Sequence, residues 1–162
     1  MIDGLSDEPR LIGTPLASIV LASASITRRR LLDGAGVPHI VVPSRVDEDE
    51  IKLSLRTGGA SGEGIAEVLA EAKAVYVSRK HPELMVLGAD QVLECDGETF
   101  DKPVARADAM SQLQALRGKR HDLISYAVIV RGGVRIWQAV DRARLEIRAD
   151  ATDEFFAAYL DA

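Results

Sequence analysis

Residues 21–32 read Leu-Ala-Ser-Ala-Ser-Ile-Thr-Arg-Arg-Arg-Leu-Leu and mark the passage from a strand to a helix. The apolar run from Leu16 to Leu21 predicts a buried strand, and the small residues after it permit a tight turn. A helix is expected to start at Ser25, with Arg28–Arg30 in its first turns, where acidic side chains would suit the helix dipole better. Backbone N–H groups and guanidinium groups therefore gather at one place, which favours a phosphate-bearing ligand. A solvated basic stripe on a surface helix is the plain alternative.

The composition indicates one globular domain that has no general affinity for nucleic acid. The chain has 162 residues, 47% of them hydrophobic, which suffices for a single core. Its formal net charge of -5 provides no positive field to attract a nucleic-acid backbone. Cys95 is the one cysteine and is interpreted as a packing residue. No apolar run is long enough for a membrane span, and residues 1–15 predict a flexible N-terminal extension without a secretory signal, so a cytoplasmic location is expected.

The order of apolar runs and helical patterns predicts an α/β fold with a mixed central β-sheet flanked by helices. Strands are expected over residues 16–21, 40–42, 84–87 and 123–130, and Gly132-Gly133 is expected to turn the chain into strands over 134–140 and 142–148. Helices are expected over residues 27–33, 62–79, 105–116 and 152–160, the last of them capped by Thr152.

The longest predicted helix carries a lysine at the edge of its apolar stripe. At about 100° per residue, Lys73 lies beside that stripe, whereas Glu63, Glu67 and Glu71 lie opposite. A lysine in this position can bury its stem and offer its ammonium group to a neighbouring cleft. Simple snorkelling toward solvent is the alternative.

Two acidic positions follow predicted strands. The cluster Asp47–Glu50 follows the strand at 40–42, although such a charge run, taken alone, is typical of a solvated loop. Asp90 stands at the end of the strand at 84–87, behind Gly88 and Ala89, which suits a carboxylate that faces a cleft. An ordinary turn aspartate is the alternative.

These residues together predict a site for phosphoryl chemistry. Lys102 stands before a proline, which restricts its backbone. Arg28, Lys73 and Lys102 are the candidates for holding polyphosphate oxygens, and Glu48 and Asp90 for binding a divalent cation or activating water. Phosphoryl chemistry needs both the cationic and the acidic side chains. The cations offset the charge of the transition state, and a carboxylate orients the metal or the nucleophile.

Several short motifs in a fixed order resemble the Maf family of nucleoside triphosphate pyrophosphatases. They are Leu21–Ser25 with Arg28 and Leu31-Leu32, Val46-Asp47-Glu48, Ala72-Lys73-Ala74, Gly88-Ala89-Asp90-Gln91, Lys102-Pro103, and Leu116-Arg117-Gly118 with His121. The resemblance covers the chain from Ile19 to its end. It implies a fold similar to that of the inosine triphosphate pyrophosphatases, and hydrolysis between the α and β phosphates with a divalent metal, Mg or Mn.

The resemblance also implies roles for individual residues. Asp90 matches the family's proton acceptor, which activates the attacking water and also belongs to the metal site. The phosphate- and metal-site residues match Ser25, Arg28, Glu48, Lys73 and Lys102, and Ser23 belongs to the same substrate-binding motif. Thr27 and Gln91 fall at positions linked to base selectivity. Asp-Gln at 90–91 resembles the subgroup acting on 7-methyl-GTP, which is slightly preferred over one acting on dTTP and UTP.

The same resemblance extends to assembly and chain length. The family implies a homodimer that binds a nucleoside triphosphate and neither nucleic acid nor a membrane. Residues 16–162 are expected to form the Maf-like domain without the C-terminal segment that family members carry. Two positions depart from the family pattern, since Ile26 replaces the usual proline and Thr27 the frequent first arginine. A nucleotide-binding regulator of cell division without catalysis is the alternative function.

Overall fold

A mixed sheet of six strands forms the centre of the computed structural model, which describes residues 19–162. The elements in chain order are β1 (Ile19–Leu21), α1 (Ile26–Gly34), β2 (His39–Val41), α2 (Glu48–Thr57), α3 (Gly62–Ser78), β3 (Val86–Cys95), β4 (Glu98–Phe100), α4 (Arg106–Leu116), β5 (Arg120–Arg131), β6 (Val134–Glu146) and α5 (Asp153–Asp161). The predicted α/β class with a mixed sheet and flanking helices is confirmed. Within this range, none of the helices has the length and apolarity that a membrane span requires. The predicted N-terminal extension, 1–15, and the start of the first predicted strand lie outside the described residues.

The strand order is β2-β1-β3-β5-β6, with β4 paired to β3 at the side. β2, β1 and β3 run parallel to one another, whereas β5 is antiparallel to both β3 and β6. β1 has only three residues, so β3 continues well past the point where β1 ends. The carboxyl end of β1 therefore opens a crevice along β3, the place where parallel sheets bind ligands.

Helix α3 packs against β3 and β5 and buries most of the core. The core side chains include Ile65, Leu69 and Val77 of the helix and Tyr126 and Val128 of β5. The helix approaches the sheet most closely over Gly88. A Cβ atom there would lie 2.2 Å from the carbonyl oxygen of Ala70 and 2.8 Å from the Cβ atom of Ala74. The contact between α3 and β3 therefore requires a glycine at position 88.

The glutamates on the outer side of α3 face the last strand. Arg135 of β6 donates to Glu67 at 2.6 Å and lies 3.4 Å from Glu71, and Arg142 donates to Glu63 at 2.7 Å. These glutamates, which the helical periodicity placed opposite the apolar stripe, therefore form ion pairs with arginines of β6. This face of α3 is only partly exposed to solvent.

Three sequence predictions are corrected. Asp90 lies inside β3 rather than at a strand end, because β5 pairs with β3 from Val86 to Glu94 and extends it. The two strands predicted over 134–148 are one strand, β6, which stays paired with β5 as far as Glu146. The acidic cluster after β2 is no loop, since Asp47 caps α2 and accepts from the backbone N–H of Glu50 at 3.0 Å. The helices predicted at 27–33, 62–79, 105–116 and 152–160 are confirmed to within one residue at each end.

Candidate active site

A buried lysine joins two carboxylates at the centre of the candidate site. Lys73 Nζ lies 2.7 Å from Asp90 Oδ1 and 2.9 Å from Glu48 Oε2. Lys73 and Asp90 are buried, at 5% and 8% exposure, whereas the Glu48 side chain is 41% exposed. An ammonium group has three donors, so one N–H of Lys73 is left for a further acceptor. The predicted meeting of these three side chains is thus observed in the fold.

Local structure explains why the three side chains meet. The close approach of α3 over Gly88 places Lys73 next to Asp90, two residues further along β3. The first turn of α2 brings Glu48 to the same ammonium group from the open side. Asp90 shares the α3 face of the strand with Gly88 and Val92, because successive side chains of a β-strand point to opposite faces.

The turn between β1 and α1 forms a second cluster. Ser23 is buried, and its Oγ accepts from the backbone N–H of Ser25 at 3.2 Å and from Arg28 Nη1 at 3.0 Å. Ser25 caps α1 and accepts from the backbone N–H of Arg28 at 3.4 Å. Because a serine hydroxyl has two acceptor positions and one proton, the proton of Ser23 remains available to donate. The turn thus presents a guanidinium group, a hydroxyl donor and a helix N-terminus together.

The two clusters lie on neighbouring strands. Ala22 donates its backbone N–H to the carbonyl of Leu87 at 2.9 Å, so the serine turn begins beside Gly88. The chain between Gly88 and Asp90 therefore runs along the crevice that the end of β1 opens. The two clusters thus bring the donors of Arg28, Ser23 and Lys73 and the acceptors of Asp90 and Glu48 to neighbouring elements of the fold.

The other predicted site residues lie further out. Lys102 is exposed just after β4, which runs antiparallel to β3 and carries the chain back in the direction of Asp90. Within residues 19–162 Lys102 has no ion pair. Thr27 is exposed in the first turn of α1. Gln91 lies on the opposite face of β3 from Asp90, where its amide donates to Ser125 Oγ at 2.9 Å.

An aromatic side chain closes the site on the β5 side. The register pairs Asp90 with Tyr126, which is 4% exposed and belongs to the core under α3. Burial, followed by the nearby carboxylate of Glu67, raises the pKa of the Tyr126 phenol. A neutral phenol beside Asp90 adds no charge to the crevice, so the charges that act on a ligand come from the lysine, the arginine and the two carboxylates.

The donor set fits a hard divalent cation of the magnesium type. Mg²⁺ is commonly held by one or two carboxylates together with substrate phosphates and water. Glu48 and Asp90 provide such a pair, since both reach the same ammonium group within 3 Å. Among residues 19–162 there is no group of three or more His, Cys, Asp or Glu side chains that could enclose a metal by themselves. Lys73 balances part of the charge of these two carboxylates.

Sequence reasoning missed the helix that carries Glu48 and the residues that anchor it. Lys52 Nζ lies 3.1 Å from Asp101 Oδ1, and Arg56 Nη1 donates to Asp101 Oδ2 at 2.7 Å. A signal for α2 is present in the sequence, because Asp47 followed by three acidic residues is a typical helix N-cap and first turn. The contact with Asp101 had no such signal, since it joins positions more than forty residues apart.

Comparisons with known proteins agree on one family. A family model described as Maf-like protein matches residues 18–162. The nucleoside triphosphate pyrophosphatase of Ruegeria sp. (strain TM1040) is 48% identical over 143 residues, which cover 88% of this chain and 71% of that protein. The protein of the same name from Paramagnetospirillum magneticum is 44% identical over 142 residues, covering 88% of this chain and 73% of that protein.

One solved structure adds support for the fold. The HAM1 protein from Coxiella burnetii matches with a TM-score of 0.54 at 15% identity, over 85% of this chain and 76% of that one. A likeness at this identity concerns the fold alone, and it agrees with the mixed sheet and flanking helices described above.

Proposed function

The chain belongs to the Maf family of nucleoside triphosphate pyrophosphatases, and on this basis we propose that it hydrolyses the α–β phosphoanhydride of modified or non-standard nucleotides, releasing a nucleoside monophosphate and pyrophosphate. The observation that carries the proposal is the contact of buried Lys73 with Asp90 and Glu48 beside the Ser23–Arg28 turn. This arrangement provides both the cations and the carboxylates that phosphoanhydride hydrolysis requires.

Each residue has a defined task in this proposal. Asp90 accepts the proton of the attacking water, and Lys73 holds that carboxylate in place while its remaining N–H faces the phosphates. Arg28, the hydroxyl of Ser23 and the cap of α1 at Ser25 bind phosphate oxygens. Lys102 adds a further cation from the end of β4. Developing negative charge is thus met by donors that the fold already holds in position.

Glu48 and Asp90 would hold the divalent cation, Mg²⁺ or Mn²⁺. When bound, the ion neutralises phosphate oxygens and lowers the charge barrier to nucleophilic attack. The partly exposed Glu48 carboxylate is reached from solvent, whereas Asp90 is buried behind it. Exchange of the ion with solvent is therefore expected to proceed past Glu48.

The base preference forms a finer part of the proposal. We favour 7-methyl-GTP, followed by dTTP and UTP, because Asp90-Gln91 resembles the subgroup that acts on the methylated guanine nucleotide. Gln91 lies on the face of β3 opposite Asp90 and uses one amide N–H toward Ser125, which leaves its second N–H and its amide oxygen to contact a base. Thr27 is exposed on α1 and is the second selectivity position. A homodimer in the cytoplasm is the proposed working form.

Pyrophosphate release by the purified chain tests the activity. The substrates are 7-methyl-GTP, dTTP, UTP and the common nucleoside triphosphates, each with magnesium or manganese. Release from one class is expected, and Asp90→Asn is expected to reduce it by at least about a hundredfold, the size typical of losing a general base. Nucleotide binding without pyrophosphate release would contradict the proposal and favour a regulatory role.

Neighbouring carboxylates of the α2 first turn supply matched controls. Glu48→Gln is expected to weaken activation by magnesium, because it removes a proposed ligand of the ion. Asp49 and Glu50 are exposed and belong to the same acidic turn. Asp49→Asn and Glu50→Gln should therefore leave the magnesium dependence close to that of the wild type. Equal effects of all three substitutions would show that only the overall charge of the turn matters.

A further inference from the structure

Asp101 joins three elements at the edge of the candidate site. Its side chain contacts α2 twice, at 3.1 Å from Lys52 Nζ and at 2.7 Å from Arg56 Nη1. Its main-chain carbonyl accepts from the side-chain amide of Gln112 on α4 at 2.7 Å. The residue directly after it is Lys102, the proposed phosphate ligand. Asp101 is thus held from two sides immediately before a residue of the site.

One face of α2 serves both the site and this contact. Glu48, Lys52 and Arg56 are spaced by four residues, which places them in a row along the helix. The first of them reaches Lys73, and the other two reach Asp101. Arg56 also donates through Nε to Thr99 Oγ1 of β4 at 2.9 Å. A rigid helix therefore links the carboxylate at the site with the end of β4.

We propose that Asp101 is a positioning residue, which fixes the backbone of Lys102 relative to α2 and so holds the Lys102 cation and the Glu48 carboxylate as one unit for the substrate phosphates. Within residues 19–162 the Lys102 side chain has no ion pair, so the contacts of the neighbouring Asp101 fix the position of its backbone. Pro103 restricts that backbone further. The inference rests on the proposed function, because it assigns Lys102 to the substrate.

The charges at this contact support a persistent interaction. Hydrogen bonding by Arg56, together with Lys52, holds the pKa of Asp101 below its ordinary value. The same carboxylate raises the pKa of Arg56. Lys52 and Arg56 thus share the Asp101 carboxylate, and Asp49 of the same helix also acts on Arg56.

A double-mutant cycle on ligand binding tests the positioning role. The probe is inorganic tripolyphosphate with magnesium, measured by titration calorimetry, because it reports phosphate binding independently of the base. Asp101→Asn is expected to raise Kd by about tenfold, as for the loss of one charged hydrogen bond. In a Lys102→Ala background the same substitution should have no further effect, since Asp101 acts through Lys102. Asp101→Glu should restore part of the affinity.

Asp150→Asn is the matched control, because Asp150 accepts from an arginine, Arg148, on the exposed surface, as Asp101 accepts from Arg56. Equal changes in Kd for Asp101→Asn and this control would overturn the proposal. So would effects of Asp101→Asn and Lys102→Ala that multiply in the double variant.

Amide hydrogen exchange separates this inference from the proposed function. Faster exchange over residues 98–102 in Asp101→Asn, measured on the ligand-free chain, is expected from the loss of the anchor. If the wild-type chain binds no tripolyphosphate and releases no pyrophosphate, the proposed function fails, and the exchange data still decide whether Asp101 anchors this segment. Unchanged exchange would overturn the positioning role by itself.

Discussion

Replacing Gly88 with alanine tests whether one close helix–strand contact builds the active site. The added Cβ atom would lie 2.2 Å from the Ala70 carbonyl oxygen, 2.8 Å from the Ala74 Cβ and 3.0 Å from the Ala74 backbone nitrogen. Carbon–oxygen contacts are normally near 3.3 Å or longer, so α3 must move by about 1 Å. Two of the three clashing atoms are backbone atoms, and the helix cannot relieve the clash by a rotamer change.

The expected cost follows from this displacement. Overpacking a well-packed core typically costs about 1–3 kcal/mol, and a backbone clash belongs at the upper end, so we expect about 3 kcal/mol. In a domain of this size the melting temperature falls by about 2–4 °C for each kcal/mol. A shift of about 1 Å also moves Lys73 relative to Asp90, and misplacement of this size can cost about a hundredfold in rate. Urea denaturation and pyrophosphate release measure the two effects.

Gly64→Ala is the matched control on the same helix. The atom nearest to its added Cβ would be Ser61 Oγ, at 3.6 Å, which is ordinary contact. Alanine is the better helix former, so this variant should gain up to about 1 kcal/mol. If Gly88→Ala unfolds within about 0.5 kcal/mol of the wild type, in the range of a neutral surface change, the argument that Gly88 sets the position of α3 is refuted.

Three further predictions concern the charges of the site. Lys73→Met should destabilise the fold by about 3 kcal/mol in urea denaturation, since it leaves the buried Asp90 carboxylate without its cation, and Asp90→Asn in the same chain should recover part of that loss. Because the folded state lowers the pKa of Asp101, this contact stabilises the chain fully above the ordinary carboxylate pKa and loses that effect as the pH falls through the lower folded value. A pH titration of stability below about pH 4 should thus fall less steeply in Asp101→Asn, and an identical slope would contradict the assignment. Chelation of divalent metal should stop pyrophosphate release with little change in melting temperature, because Lys73 already pairs with both carboxylates; a large drop would show that the ion is structural.

The sequence predicted the bounds of four helices better than the lengths of the strands. Helix α3 was predicted over its whole length and one residue beyond, because its apolar stripe is a local feature. The length of β3 was underestimated because Asp90 and Gln91 interrupt the apolar run, whereas the structure extends the strand through pairing with β5. Pairing between distant strands overrides local composition, so the polar residues became part of the sheet.

The sequence named the residues of the candidate site, but it did not give the elements and faces on which all of them lie. Lys73, Asp90 and Glu48 meet as expected, although Glu48 was assigned to a charge run typical of a loop. Adjacent motif positions do not share a surface, because a strand directs Asp90 and Gln91 to opposite faces. The order of residues in a motif therefore does not show which face of the sheet each side chain occupies. That assignment requires the strand and its pairing partners.

The arrangement gives the lysine at the centre a task that no single motif reveals. Lys73 is buried, and burial of a charge is costly unless it is paired. Its two carboxylate partners come from the central strand β3, where Asp90 is buried, and from the first turn of α2, where Glu48 is partly exposed. A ligand that competes for Glu48 leaves the Lys73–Asp90 pair intact, because that pair is held by the packing of α3 over Gly88. We therefore expect the mobile half of the site to be α2, together with the end of β4 that Asp101 attaches to it, while the α3–β3 half stays fixed during binding.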